Sequence, residues 1–172
     1  MVTILPFGGV HPTIPDSVLV LPGSRIIGDV VIGEGSSVWY NVVIRGDVNY
    51  IRIGDESNIQ DGSILHVTRE THPLVIGNLV TAGHAVRLHG CTIEDETLIG
   101  IGAIVLDGAV VERHSMVAAG SVVLPGFRVP SGTLVAGVPA KVRRDLSEEE
   151  VGNFAEHARR YVGYAKATRE EL

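Results

Sequence analysis

An aliphatic residue returns every six positions along most of this chain. From Ile14 the series runs Val20, Ile26, Ile32, Val38 and Ile44, resumes at Ile53, Ile59 and Leu65, and again at Ile76, Ala82 and Leu88. From Ile93 it continues in unbroken sixes to Val135. Of these 20 positions, 19 are Ile, Val or Leu, which makes chance a poor explanation. The fourth residue after each is mostly small or β-branched, as in Ser24, Val30, Ser36, Val42, Ser57, Ser63, Val86, Thr92, Thr97 and Ala103. Strands alternate with period two and helices with period 3.6, so a strict period of six with two inward positions fits neither alone. It fits an all-β solenoid, a parallel β-helix in which each hexad is one short strand plus a corner and three hexads close a triangular coil. Composition agrees. Val (26) and Ile (15) make 41 of 172 residues against only 8 aromatics, and Gly reaches 21. β-Branched residues and glycine suit short strands with tight corners inside a prism too narrow for large rings.

Three irregularities break the register. The step from Ile44 to Ile53 carries three extra residues, near Val48 to Arg52. That from Leu65 to Ile76 carries five, a polar stretch around Thr68 to Pro73 that must leave the prism as a loop. The step from Leu88 to Ile93 is one residue short. Insertions in repeat proteins bulge toward one side, commonly the functional one. The pattern changes after Ala140, so the β-helix domain is expected over 1–145 and a terminal helix over 146–172. Ser147 with Glu150 forms a capping box, and Val151, Phe154, Ala155, Ala158, Val162 and Ala165 make a stripe for packing along the prism. Gly152 and Gly163 weaken that helix by about 1 kcal/mol each.

A net charge of −6 leaves no basic surplus for nucleic acid, which is excluded as a partner. No run approaches the ~18 apolar residues of a membrane span, and the first residues lack a basic leader. Cys91 stands alone, which excludes an internal disulfide; a cytoplasmic protein without membrane contact is expected. Cys91 itself reads as a small buried residue near the shortened turn.

The register also places histidines. His66 follows Leu65 and His89 follows Leu88, and with the five inserted residues removed those leucines lie one whole coil apart. The two imidazoles therefore occupy the same position on successive coils, roughly 4.8 Å apart. Arg45, after Ile44, extends the column by one more coil. Two stacked imidazoles at that spacing can share a metal ion. His84, two residues after Ala82, falls on the preceding face, where it could complete the site of a neighbouring chain in a cyclic trimer. His11, His114 and His157 read as ordinary surface polar residues.

Ile44-Arg45-Gly46-Asp47, Asn58-Ile59-Gln60-Asp61-Gly62-Ser63 with His66, Gly83-His84 and Leu88-His89-Gly90-Cys91 together resemble the γ-class carbonic anhydrase family, and the likeness covers nearly the whole chain. The resemblance implies a left-handed parallel β-helix assembled as a homotrimer with metal sites between subunits. It implies that His66 and His89 bind the metal from one chain and His84 from its neighbour. The metal would be Zn2+, with Fe2+ or Co2+ in its place, and a hydroxide on it would convert CO2 to bicarbonate. By the same resemblance Gln60 hydrogen-bonds the reacting oxygen, Arg45, Asp47 and Asp61 form ion pairs at the interface, and Asn58 and Tyr161 line the pocket. The sequence departs from the long members of the family in two relay glutamates. Val48 follows Asp47, and the loop offers Glu70 and His72 instead. Two other readings stand beside this one: an acyl-CoA-dependent acyltransferase on the same repeats, which needs one histidine as base rather than three around a metal, and a metal-binding member without turnover.

Overall fold

The computed structural model describes residues 1–172. Its core is the all-β solenoid expected, a parallel β-helix of about seven coils followed by one C-terminal helix. The prism has three faces. The first stacks the strands that include Ile64–His66, Arg87–His89, Ile104–Val105 and Val122–Val123. The second stacks Leu74–Ile76, Thr92–Ile93, Val110–Val111 and Arg128–Val129. Two long strands, Arg25–Ile32 and Val43–Ile53, run round the corner between these faces and join them into one 11-stranded sheet. The third face is an eight-stranded sheet that includes Asn58–Ile59, Thr81–Ala82 and Leu98–Ile99.

The hexad aliphatics fill the interior. Ile26, Ile44, Leu65, Leu88, Ile93, Ile99, Val105 and Val111 are fully buried in one cluster that runs the length of the prism. Ile14 and Val20, at the open first coil, are only half-buried. Serines at the other inward position tie coil to coil: Ser36 Oγ donates to Gly54 O at 2.7 Å and Ser57 Oγ to Gly77 O at 2.8 Å. Every buried side-chain polar atom has a partner, as a dry interior requires. One expected position shifts. The short step between Leu88 and Ile93 turns Cys91 inward, not Thr92, which is half-buried on the strand beyond it.

The insertions leave the prism as bulges. Asp29 alone stands opposite Asp47–Tyr50, between the Gly28–Gly46 and Val30–Ile51 pairs, so the extra residues of the first irregularity lie at 47–50. The second forms a tight loop closed by a Thr68–His72 bridge. The two meet, since Asn49 Nδ2 donates to Thr68 O at 3.0 Å.

Beyond Ala140 the sequence reading missed a strand. Lys141–Asp145 folds back antiparallel on Thr133–Ala136, and all five of its residues are exposed, so no burial pattern marked it. The helix spans Glu148–Glu170 with the Ser147/Glu150 capping box in place. It lies along the third face on Phe154, Ala155, Ala158 and Ala165, while Val151 and Val162 of the expected stripe are only half-buried. No helix is long and apolar enough to cross a membrane.

Candidate metal centre

At the end of the first face the β-ladder pairs Leu88 with Leu65 and His89 with His66. One coil earlier it pairs Ile44 with Leu65, which puts Arg45 beside His66. The two imidazole rings lie 5.0 Å apart, with His66 Nδ1 only 3.0 Å from His89 Nε2. The other nitrogen of each ring is held by a carboxylate. His66 Nε2–H donates to Asp47 Oδ1 at 3.0 Å, and His89 Nδ1–H donates to Asp107 Oδ1 at 2.6 Å. A carboxylate only accepts, so these bonds fix both tautomers and leave a lone pair on each facing nitrogen. Two lone pairs aimed at each other are unfavourable unless a positive charge lies between them. Two ligands at about 2.1 Å from a tetrahedral ion sit about 3.4 Å apart, so a small opening of the pair admits a metal.

Burial opposes charge on Asp47, but the hydrogen bonds from His66 and Arg45 outweigh it and hold the carboxyl below its usual range. Asp107 behaves alike: burial works against its charge, while Thr68 and His89 more than offset it. Burial lowers the pKa of His66, against the opposing pull of Asp47, and keeps the ring neutral and able to ligate.

His84 stands at a different corner, in the turn between Thr81–Ala82 on the third face and Arg87–His89 on the first. Its Nδ1–H donates to Asp61 Oδ2 at 2.8 Å, so Nε2 again carries the lone pair. Two features shape that turn. Ala85 takes a left-handed φ of 58° and donates its N–H to Asp61 O. A Cβ on Gly83 would press against the Ile99–Ile101 backbone of the next coil. Within a single chain no three His, Cys, Asp or Glu side chains converge to hold an ion.

His84 shares a cleft of about 210 Å3 with Gln60, Thr81, Ile101, His157 and Tyr161. Gln60, almost wholly buried, donates Nε2–H to Asn58 Oδ1 at 2.9 Å, and Asn58 Nδ2 donates to Thr81 Oγ1 at 3.0 Å. Thr81 Oγ1 lies 3.2 Å from His157 Nδ1. Burial raises the pKa of the Tyr161 phenol, with the Asp61 charge adding and a hydrogen bond to Gln60 opposing. Tyr161 stacks edge-on against Trp39 at 5.5 Å and lies 5.4 Å from the His157 ring. His157 is therefore not the plain surface residue that the sequence suggested: the helix lays it in this cleft, where burial lowers its pKa.

Of the other sequence candidates, only Arg45 stays beside the histidine pair. Arg45 pairs with Asp47 of its own chain, and His114 with Glu96 at 3.2 Å. His11 is exposed, as is Glu70 in the loop, where His72 bonds its neighbour Thr71. Cys91 is buried, and desolvation raises its thiol pKa far above the usual range. Sequence reasoning missed Asp107. Its signal was faint: it falls one residue past the position level with His89 on the next coil.

The bacterial transferase hexapeptide family, of six repeats, matches residues 11–46 and 90–125. A Methanocaldococcus jannaschii protein named a probable carbonic anhydrase is 56% identical over 149 residues, covering 87% of this chain and 93% of that protein. The Arabidopsis thaliana protein named gamma carbonic anhydrase 1, mitochondrial, is 47% identical over 161 residues. That match covers 91% of this chain but 58% of the plant protein, so the chain spans little over half the length of this relative. Among crystal structures, a hexapeptide transferase family protein from Anaplasma phagocytophilum superposes with a TM-score of 0.92 at 41% identity, covering 96% of this chain and 97% of that one.

Proposed function

Because the chain belongs to the γ-class carbonic anhydrase family, we propose that it catalyses the reversible hydration of CO2 to bicarbonate as a homotrimer with metal sites between subunits. The observation that carries this reading is the His66–His89 pair, whose facing nitrogens lie 3.0 Å apart with their protons drawn to Asp47 and Asp107. Zn2+, or Fe2+ or Co2+ in its place, would be held by His66 and His89 of one copy and His84 of the next. Such an ion makes water a nucleophile at neutral pH. Ile101, beside His84 in the cleft, and Ile64, next to Leu65 on the first face, are 58% and 43% exposed in the single chain. Apolar side chains left open in this way suit burial against another copy.

The chain's own residues supply orientation and proton handling. Gln60 has one amide proton committed to Asn58 and a further bond to Tyr161, which fix its plane against the cleft where a reacting oxygen would lie. Tyr161, protonated because burial raises its pKa, offers a second donor on the same side. His157 stays neutral near pH 7 because burial lowers its pKa, and so can accept a proton. Glu70, exposed, and His72, half-buried, stand in the loop where they can pass protons to buffer. Asp47 and Asp61 hold His66 and His84 by hydrogen bonds to their ring N–H groups.

The test combines metal analysis with stopped-flow CO2 hydration on protein purified without a histidine tag, under anaerobic and oxidised conditions. About one ion per chain, with hydration that tracks metal content, supports the proposal. Full metal content without hydration in either condition overturns it in favour of a metal-binding member without turnover. An acyltransferase reading draws on the transferase name of the Anaplasma relative; metal-free protein that consumes acetyl-CoA would replace the proposal with it.

A further inference from the structure

Asp107 belongs to none of the motifs that mark the site, yet two parts of the molecule converge on it. Its Oδ1 accepts from His89 Nδ1 at 2.6 Å and its Oδ2 accepts from Thr68 Oγ1 at 2.7 Å. Thr68 begins the five-residue insertion and is itself clasped from the other side, where Asn49 donates to its carbonyl. Room for the carboxylate comes from Gly90, which has φ +55°: a Cβ there would collide with Asp107 and with the His72 side chain. Thr68 and His72 close the loop on each other through two backbone bonds of 3.0 and 3.4 Å. One carboxylate thus fixes the imidazole on one coil and a loop anchored beside the preceding coil.

We infer that Asp107 is a positioning residue that sets the tautomer of His89 and couples it to the order of the 68–72 loop. The inference rests on the reading of His89 as a metal ligand only for its effect on affinity; the tautomer and the loop belong to the metal-free chain. A carboxylate on the far nitrogen of a ligating imidazole orients the ring and raises its basicity, and its loss costs 10–100-fold in metal affinity as a rule. Holding the loop through the other oxygen means that anything that draws His89 away also loosens Thr68.

Three measurements test this. In metal-free wild-type protein, long-range proton–nitrogen NMR is expected to find His89 protonated at Nδ1; an Nε2–H tautomer overturns the inference without any mutation. Zn2+ affinity, measured by competition with a chromophoric chelator, is expected to fall about 100-fold in Asp107→Ala and about 10-fold in Asp107→Asn, which keeps one acceptor. Thr68→Val keeps the bond to His89, so its Zn2+ affinity should stay within about threefold of wild type. Hydrogen exchange of the 68–72 amides should quicken in Thr68→Val and Asp107→Ala alike, in metal-free protein with an unchanged melting profile. Unchanged Zn2+ affinity in both Asp107 variants, or an equal loss in Thr68→Val, overturns the positioning role. If wild-type protein binds no Zn2+ at all, the metal reading fails, and the NMR and exchange measurements still decide the role of Asp107.

Discussion

The stretch from Ile93 to Val135 and the stretch from Val43 to Gly90 build the same prism from the same hexads, yet the first lends the metal centre one carboxylate, Asp107, and the second is crowded. The first keeps perfect sixes, two-residue strands as far as Val129 and corners occupied by turn residues. The second holds the long bulged strand, the polar loop and the shortened turn, and on it lie Arg45, Asp47, Gln60, His66, His84 and His89. A flawless repeat sends each outward side chain to a place set by its neighbours, which leaves little room for groups that must converge. Each departure from six shifts side chains relative to the coil below. Reactivity here depends on broken periodicity, and stability on its persistence.

Mutations can sharpen or break that contrast. The largest effect is expected at the proposed ligands: His89→Ala should weaken Zn2+ binding by more than about 100-fold, beyond the usual effect of losing only a carboxylate partner. The melting of the metal-free protein should hardly change, and a large fall there would make His89 a structural residue. Shared sites add a further expectation. Co-refolded trimers of His84→Ala and His89→Ala should recover part of the metal, because some interfaces keep all three histidines. Verified mixed trimers without recovered metal would place the site within one chain.

In the regular half the reverse should hold. Ile99→Ala empties a fully buried position and should cost about 2–5 kcal/mol in chemical denaturation, with metal per folded chain unchanged. An Ile99→Ala protein that folded normally but lost metal would break the contrast between the halves. Arg45→Ala tests the boundary. Arg45 is 44% exposed in the single chain and its pair with Asp47 would be worth under about 1 kcal/mol there. If a neighbouring copy covers it, its removal strands a buried charge and costs about 3–5 kcal/mol, read as trimer dissociation on dilution.

The smallest effect lies outside both halves. The bidentate bond from Arg144, with help from the Ser147 backbone, holds Glu150 down to about 2 from an ordinary 4.5. A lowered pKa stabilises above the unfolded value, so this contribution is full near neutrality and fades as pH falls from 4.5 toward about 2. Far-ultraviolet circular dichroism should register a slight loss of helix over that window, absent in Glu150→Gln.

The prism was legible because its interior admits so few side chains that the same choice recurs every six residues. The stacking of His66 on His89 followed from the same register, since counting coils is enough to align them. Asp107 was hidden because its bond to His89 joins side chains 18 residues apart and one step out of register, which no spacing rule captures. His157 escaped notice for another reason: its partner Thr81 lies 76 residues away, and only the docking of the helix brings them together. The strand Lys141–Asp145 left no trace because, exposed on every residue, it carries no alternation to read.

That strand has a consequence for the molecule among its own kind. A parallel rung can be copied without limit, because the last coil offers the next chain the same row of unpaired amides that each coil offers its successor. Running backwards along Thr133–Ala136, with exposed Lys141 and Arg143 set on it, the strand reverses the direction of the edge of the eight-stranded sheet. A chain that approaches that edge therefore meets a strand of reversed direction with exposed cations on it, a device that blunts the edge against further pairing.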